Sequence, residues 1–365
     1  MKIGIDIRCL MNDKYSGVSW YTYNLLQNIF ELDHENEYIL FYNSSKQVTL
    51  PEFAYANVKY CGYRFPNKLF NLVVNFFNWP KIDRLIGGVD IFFVPNLHFI
   101  AWSDKCRKIV TVHDLSFLYF PEFFTAKMRL WHKLILKKNI LGQADSIIAD
   151  SFNTKNDLIK LLKVPESKIK IIHLGVDKRY FNTVGAELLA NTRKKYDLPD
   201  KFILALGTIE PRKNLEGVIA AYKLSGTDAD LVIAGGQGWK VKSSMADACI
   251  KFIGYVAEED KPALYQAAAL LVYPSFYEGF GLPLLEAMAS GCPVIAGANS
   301  SQPEVVGAAG LLVDPNNASE ICFAISVLLS DEDFRWEMSR RGREQAAKFS
   351  WEATAAETIK LINNR

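Results

Sequence analysis

Apolar residues along the chain gather into short unbroken runs that stop at a polar residue, a glycine or a proline, with longer stretches of mixed polarity between them. An apolar run without alternation suits a strand covered on both faces, as in a parallel sheet flanked by helices. On this pattern the first half should hold strands at Lys2–Leu10, Tyr38–Tyr42, Ile91–Val94, Ile109–Val112, Ala144–Asp150 and Ile169–His173. The second half should hold strands at Phe202–Leu206, Leu231–Gly235, Phe252–Tyr255, Leu270–Tyr273 and Pro293–Ala296. Helices are expected after the turn at Ser16 and Gly17, through a basic segment from Arg129 to Lys138, over Leu284–Ser290 and over Ser339–Lys348. Strands alternating with helices make an α/β chain, and the polar stretch Asp177–Asp200 reads as a hinge between its halves.

At 365 residues, 50% hydrophobic and 22% charged, the chain is long enough to bury two cores. A formal net charge of +2 gives no reason to expect a nucleic-acid partner. The six cysteines are scattered singly with no C-x-x-C pair, so reduced thiols are expected rather than disulfides or a zinc site. Met1 leads directly into KIGIDIRCL, a strand and not a leader, and no apolar run reaches membrane-spanning length. A cytoplasmic protein is the expectation.

The chemistry concentrates between Ala267 and Ala298, which reads as strand, glycine-punctuated loop, helix and second strand. In the loop SFYEGFG, Gly279 and Gly281 let the backbone approach a ligand, and Pro283 fits the first turn of the helix that follows. A helix N-terminus with open amides attracts anions. Glu278 and Glu286 frame the turn with seven residues between them. Carboxylates on both sides of a phosphate-binding turn suit a nucleotide sugar, whose hydroxyls lie at both ends of a diphosphate; an isolated glutamate is usually a solvated surface charge, but the surrounding glycines and Pro283 argue against that reading here. Arg212 and Lys213 lie between a strand and a helix, where their charges reach the ligand end of the sheet, although basic residues there are commonly just solvated. His113, directly after the strand ending at Val112, occupies a similar position, against the reading of a structural histidine.

The segment PSFYEGFGLPLLEAMASGCPVIAG resembles the nucleotide-sugar signature of the retaining glycosyltransferases of family four, and GTIEPRKN, VHD and FSWEATA extend the resemblance over nearly the whole chain. The resemblance implies the GT-B fold: two doubly wound Rossmann-like domains facing a cleft. Residues 1–176 would be the acceptor-side domain, 177–346 the nucleotide-sugar domain and 347–365 a helix crossing back to the first. It implies His113, Glu278, Arg212 and Lys213 as the catalytic set. Donor binding would add Gly17, Gly207, Tyr255, Val256, Gly279, Phe280, Gly281, Leu282 and Glu286. The implied reaction is retaining hexosyl transfer from a nucleoside diphosphate sugar, GDP-mannose first and UDP-sugars next, to a glycan or lipid-linked acceptor, without cofactor or metal. Two positions depart from the family pattern: Ser16 replaces the first of two glycines, and Thr208 replaces an arginine often found after the glycine.

Residues 63–85, YRFPNKLFNLVVNFFNWPKIDRL, are either a helix packed on the N-terminal sheet or an interfacial surface for peripheral membrane contact, with Arg64, Lys68, Lys81 and Arg84 toward the ends. The triplet Asp228-Ala229-Asp230 has the D-x-D form of a metal site but precedes a strand, so it reads as a turn at the wrong end of the sheet. A sugar-nucleotide epimerase, a phosphorylase or a non-catalytic nucleotide-sugar-binding protein are the competing readings.

Overall fold

The computed structural model describes residues 1–12, 15–236 and 248–364. Residues 13 and 14 of the loop after the first strand lie outside the described residues. The chain divides into two units, one of Met1–Tyr119, Ala126–Gly175 and Trp351–Arg365, the other of Phe120–Thr125 and Val176–Ser350.

The central apolar runs become parallel strands because their residues are covered on both faces, while the strands at Val58–Tyr63, Ile250–Gly254 and Leu311–Val313 are partly exposed. In the first unit the strands are β1 (Lys2–Asp6), β2 (Glu37–Asn43), β3 (Val58–Tyr63), β4 (Ile91–Val94), β5 (Arg107–Val112), β6 (Ser146–Ala149) and β7 (Ile169–Ile171), in the order β3-β2-β1-β4-β5-β6-β7. The second unit holds β8 (Phe202–Leu206), β9 (Asp230–Ala234), β10 (Ile250–Gly254), β11 (Leu270–Tyr273), β12 (Val294–Gly297) and β13 (Leu311–Val313), in the order β10-β9-β8-β11-β12-β13. Each sheet is therefore doubly wound, reversing direction beside β1 in one and beside β8 in the other, and each places its loops for a ligand beyond the carboxyl ends of its strands.

The helices needed below are α1 (Gly17–Leu32), α2 (Asn67–Phe77), α3 (Ala126–Lys137), α4 (Phe152–Leu162), α5 (Leu215–Ser225), α6 (Lys261–Ala267), α7 (Leu282–Ala289) and α8 (Trp351–Asn363). Ser16 caps α1, its hydroxyl accepting from the Ser19 amide, and Ser151 caps α4 in the same way through Thr154. Terminal helix α8 packs in the first unit: Thr354 donates to the His173 carbonyl at 2.8 Å, and the Arg107 guanidinium meets the carbonyls of Leu361 and Ile362. The second unit's core gathers Ile203, Leu231, Val272 and Ile295 from the strands with Val218 of α5 and Ile325 from a flanking helix, all buried.

Several boundaries differ from the sequence reading. The first strand stops at Asp6 and not Leu10, because Arg8 folds back onto the Asp6 carboxylate and the chain turns through Arg8–Leu10. Residues 63–85 are not one helix: β3 ends at Tyr63, α2 follows, and a short turn of helix covers Ile82–Leu85. The expected hinge contains a helix, Ala186–Lys195, and the helix expected from Leu284 begins two residues earlier, at Leu282.

Candidate active site

In the second unit the functional loops gather where the strand order reverses. Gly207 directly follows β8, and the loop after β11 runs from Pro274 to Gly281. A small recess lies here, lined among others by Gly207, Thr208, Lys213 and Tyr273. Close backbone contact shapes its floor: a Cβ on Gly235 would meet the Gly207 carbonyl oxygen at 1.9 Å. Gly281 has φ +113° and begins α7, with Pro283 in the first turn, so glycine there serves a backbone that other residues resist.

Glu278 lies at the centre of the loop and is buried, 5% exposed. Its Oε1 accepts from Lys213 Nζ at 2.7 Å and its Oε2 from Arg212 at 2.9 Å. Arg212 also donates to the Tyr277 carbonyl at 3.0 Å and, through a second edge, to Glu210 at 2.7 Å. Lys213 donates further to the Tyr273 hydroxyl. Burial alone would raise the Glu278 pKa, but the charges of Arg212 and Lys213 outweigh it and hold the carboxyl down to about 2. Burial moves Lys213 the other way, below the usual lysine range, with Glu278 opposing it. The loop is fixed from behind: Ser300 accepts from the Glu278 amide at 3.0 Å, and the Ser301 hydroxyl bonds the carbonyls of Glu278 and Phe280. Gly279 and Phe280 are buried in this same turn.

Glu286 emerges one turn into α7 and accepts from the Tyr265 hydroxyl at 2.9 Å, with Lys261 Nζ at 3.8 Å. Lys261 and Arg179 both bond Glu258, making a charged cluster beside Glu286. Tyr255 and Val256 follow β10 at the carboxyl edge, Tyr255 exposed and Val256 buried. Asp228 is exposed and paired with Lys201 at 2.7 Å, and Asp230 opens β9, so the D-x-D triplet is at the amino end of its strand.

In the first unit His113 follows β5. Its Nδ1 faces Asp150 Oδ2 at 2.6 Å and its Nε2 faces the Pro95 carbonyl at 3.0 Å, while Tyr21 packs edge-on at 4.6 Å. Burial alone would lower the imidazole pKa, but Asp150 outweighs it and raises it above the usual value. Gly17 begins α1 with open space where a Cβ would stand. The structure thus brings Arg212, Lys213 and Glu278 into one ion-paired group. Partners the sequence reading did not name are Glu210, Tyr273, Tyr265, Lys261 and Asp150. Asp150 carried a usable signal, a polar residue closing the apolar run of β6, the same signal that marked His113.

Residues 190–345 match the model for glycosyl transferases group 1, and residues 15–180 match that for glycosyltransferase family 4. The chain is 37% identical over 266 residues, 69% of each chain, to an O-antigen chain mannosyltransferase B of Escherichia coli. The chain belongs to glycosyltransferase family 4. This glycosyltransferase is also 30% identical over 270 residues, 70% of its length, to the serotype-specific mannosyltransferase WbdA of Escherichia coli, of which the match spans 33%. Among solved structures it resembles a sucrose-phosphate synthase from Thermosynechococcus elongatus, with TM-score 0.77, 21% identity, and 99% and 98% of the two chains covered. Anabaena Alr3699/HepE in complex with UDP-glucose follows at TM-score 0.73 and 18% identity, covering 99% of each chain. These likenesses establish the GT-B fold of the glycosyltransferase.

Proposed function

We propose that the glycosyltransferase moves mannose from GDP-mannose, with retention of configuration and without a metal ion, to a glycan or lipid-linked acceptor. The observation that carries this reading is the ion-paired group of half-buried Arg212 and Lys213 with buried Glu278 beside the N-terminus of α7. A departing nucleoside diphosphate gathers negative charge, and two cations fixed beside a helix N-terminus meet that charge without a hard cation. Lys213 and Arg212 would exchange part of their bonding from Glu278 to the diphosphate as it leaves. A carboxylate bonded to two cations, with its pKa down at about 2, is a weak nucleophile, which favours attack on the face the leaving group vacates over a covalent intermediate on Glu278. Mannose is supported by relatives named as mannosyltransferases.

The deciding measurement is nucleoside diphosphate release from GDP-mannose and from UDP-sugars, with and without acceptor, in excess EDTA after metal stripping. Acceptor-dependent release of GDP at an undiminished rate in EDTA is expected. Binding without release would indicate a non-catalytic protein, and isomerised donor would indicate an epimerase. Activity lost in EDTA, restored by manganese and absent from Asp228→Asn with Asp230→Asn would overturn the metal-free reading.

We assign Glu286 to the ribose hydroxyls and Glu278 to the transferred sugar, so the two framing carboxylates should separate by calorimetry with the nucleoside diphosphate alone. Glu286→Ala should weaken binding by one to two decades, because a hydrogen bond to a charged group contributes about 1.5 to 3 kcal/mol. Glu278→Ala should leave that affinity largely intact yet lose transfer. Equal losses of affinity in the two variants would refute the assignment of Glu286 to the ribose and Glu278 to the transferred sugar.

A further inference from the structure

We propose that the outer side of α2 and the adjoining basic helix α3 together form a docking surface for an anionic phospholipid membrane. Helix α2 is apolar on two sides and covered on one. Phe70 and Val74, four residues apart, point into the first unit and are buried. Leu69, Leu72 and Phe76 share the opposite side by their spacing and are exposed. The apolar surface continues past the helix, where Phe77 is 71% and Trp79 65% exposed, and it is joined by exposed Phe65 ahead of it.

The charge on the two segments that form this surface is of one sign. Between Arg64 and Lys81 the chain has three basic residues and no acidic one, and between Ala126 and Leu141 it has five lysines and arginines and no acidic one. Lys127, Arg129, Lys133 and Lys137 of α3 are exposed, as is the apolar Leu130 among them. The two helices meet: Lys138, directly after α3, donates its ammonium to the Val74 carbonyl of α2. Burial, and after it the charge of nearby Lys81, brings the Lys138 pKa down to about 8, so cations from both segments crowd together there. Aromatic and aliphatic side chains flanked by cations match the layering of a lipid interface, where rings enter the headgroup boundary and lysines meet anionic phosphates. A second copy of the same face would set cations against cations, which argues against self-association.

The test is cosedimentation of the full chain with vesicles of phosphatidylcholine alone and of phosphatidylcholine with phosphatidylglycerol. The chain should sediment with the anionic vesicles only, and less as salt rises through the range that screens surface charge. Lys68→Gln on α2 and Lys133→Gln or Lys137→Gln on α3 should each lower the partition coefficient about fivefold. Phe76→Ser with Phe77→Ser should lower it further with the melting temperature unchanged, since both side chains are exposed. Absence of binding to anionic vesicles at low salt overturns the proposal. So does unchanged binding in the α3 variants, or a dimer in light scattering that Phe76→Ser dissociates.

Discussion

Replacing Arg212 and Lys213 together with alanine should lower turnover by at least about 10³-fold, the scale on which losing even one preorganised donor to developing charge is felt. The structure adds a complication that the sequence did not show. Both cations are bonded to buried Glu278, so the double variant leaves that carboxylate in the interior without its two cations, at a cost of about 3 to 5 kcal/mol. Inactivation by unfolding and inactivation by lost charge must therefore be separated. Adding Glu278→Gln to the double variant removes the orphaned charge and should restore the melting temperature while turnover stays lost. Near-full activity in the double variant would sink the charge-stabilisation reading.

The same group sets an acid limit on stability. The Glu278 carboxyl is held at about 2 in the folded chain against an ordinary value of 4.5. A depressed folded pKa contributes stability that is fully present above 4.5 and lost as pH falls toward 2. A shift of this size corresponds to on the order of 3 kcal/mol. In the double variant the sign should reverse, because a buried carboxyl without cations resists ionisation and its burden grows as pH rises.

The fold was legible wherever a strand is buried on both faces. FILAL at β8 and LLVY at β11 are continuous apolar runs, and nothing but a covered parallel strand explains them in so short a length. Strand β3, VKYCGY, is at the sheet's edge and half open to solvent, so Lys59 and Tyr60 interrupt the apolar pattern and hide it. Strand β13 is three residues long, too short to register. The run 63–85 misled for a different reason: α2 is apolar on its covered and uncovered sides alike, and periodicity cannot separate a core helix from one that also presents a surface. Within the site, the glycines, Pro283 and the two glutamates announced the loop. Which carboxylate would hold which cation depends on how the turn Pro211–Lys213 folds beside the loop after β11, a tertiary fact with no local signal.

His113→Ala, read well below its melting temperature because it leaves the buried Asp150 carboxylate without its cation, is expected to lower turnover by roughly 10²-fold or more if the Nε2–H turns from the Pro95 carbonyl to the substrate during transfer. Its geometry favours the charged form. Both ring nitrogens face oxygen acceptors, Asp150 at 2.6 Å and the Pro95 carbonyl at 3.0 Å, and an imidazole donates from both nitrogens only when protonated. The raised pKa has the same origin: burial pulls it down, and the Asp150 carboxylate more than compensates. A raised folded pKa contributes stability that is fully present below the ordinary value of 6.5 and lost as pH rises through the folded value. Asp150→Asn keeps the shape and removes the charge. In that variant the imidazole resonances should titrate at lower pH than in the parent, the alkaline loss of stability should flatten, and the limb of the rate profile that depends on the imidazolium should move to lower pH. A histidine that merely fills space would shift stability alone. Full turnover in His113→Ala, or a rate profile in Asp150→Asn that overlays the parent while the imidazole titration moves, would remove His113 from the reaction.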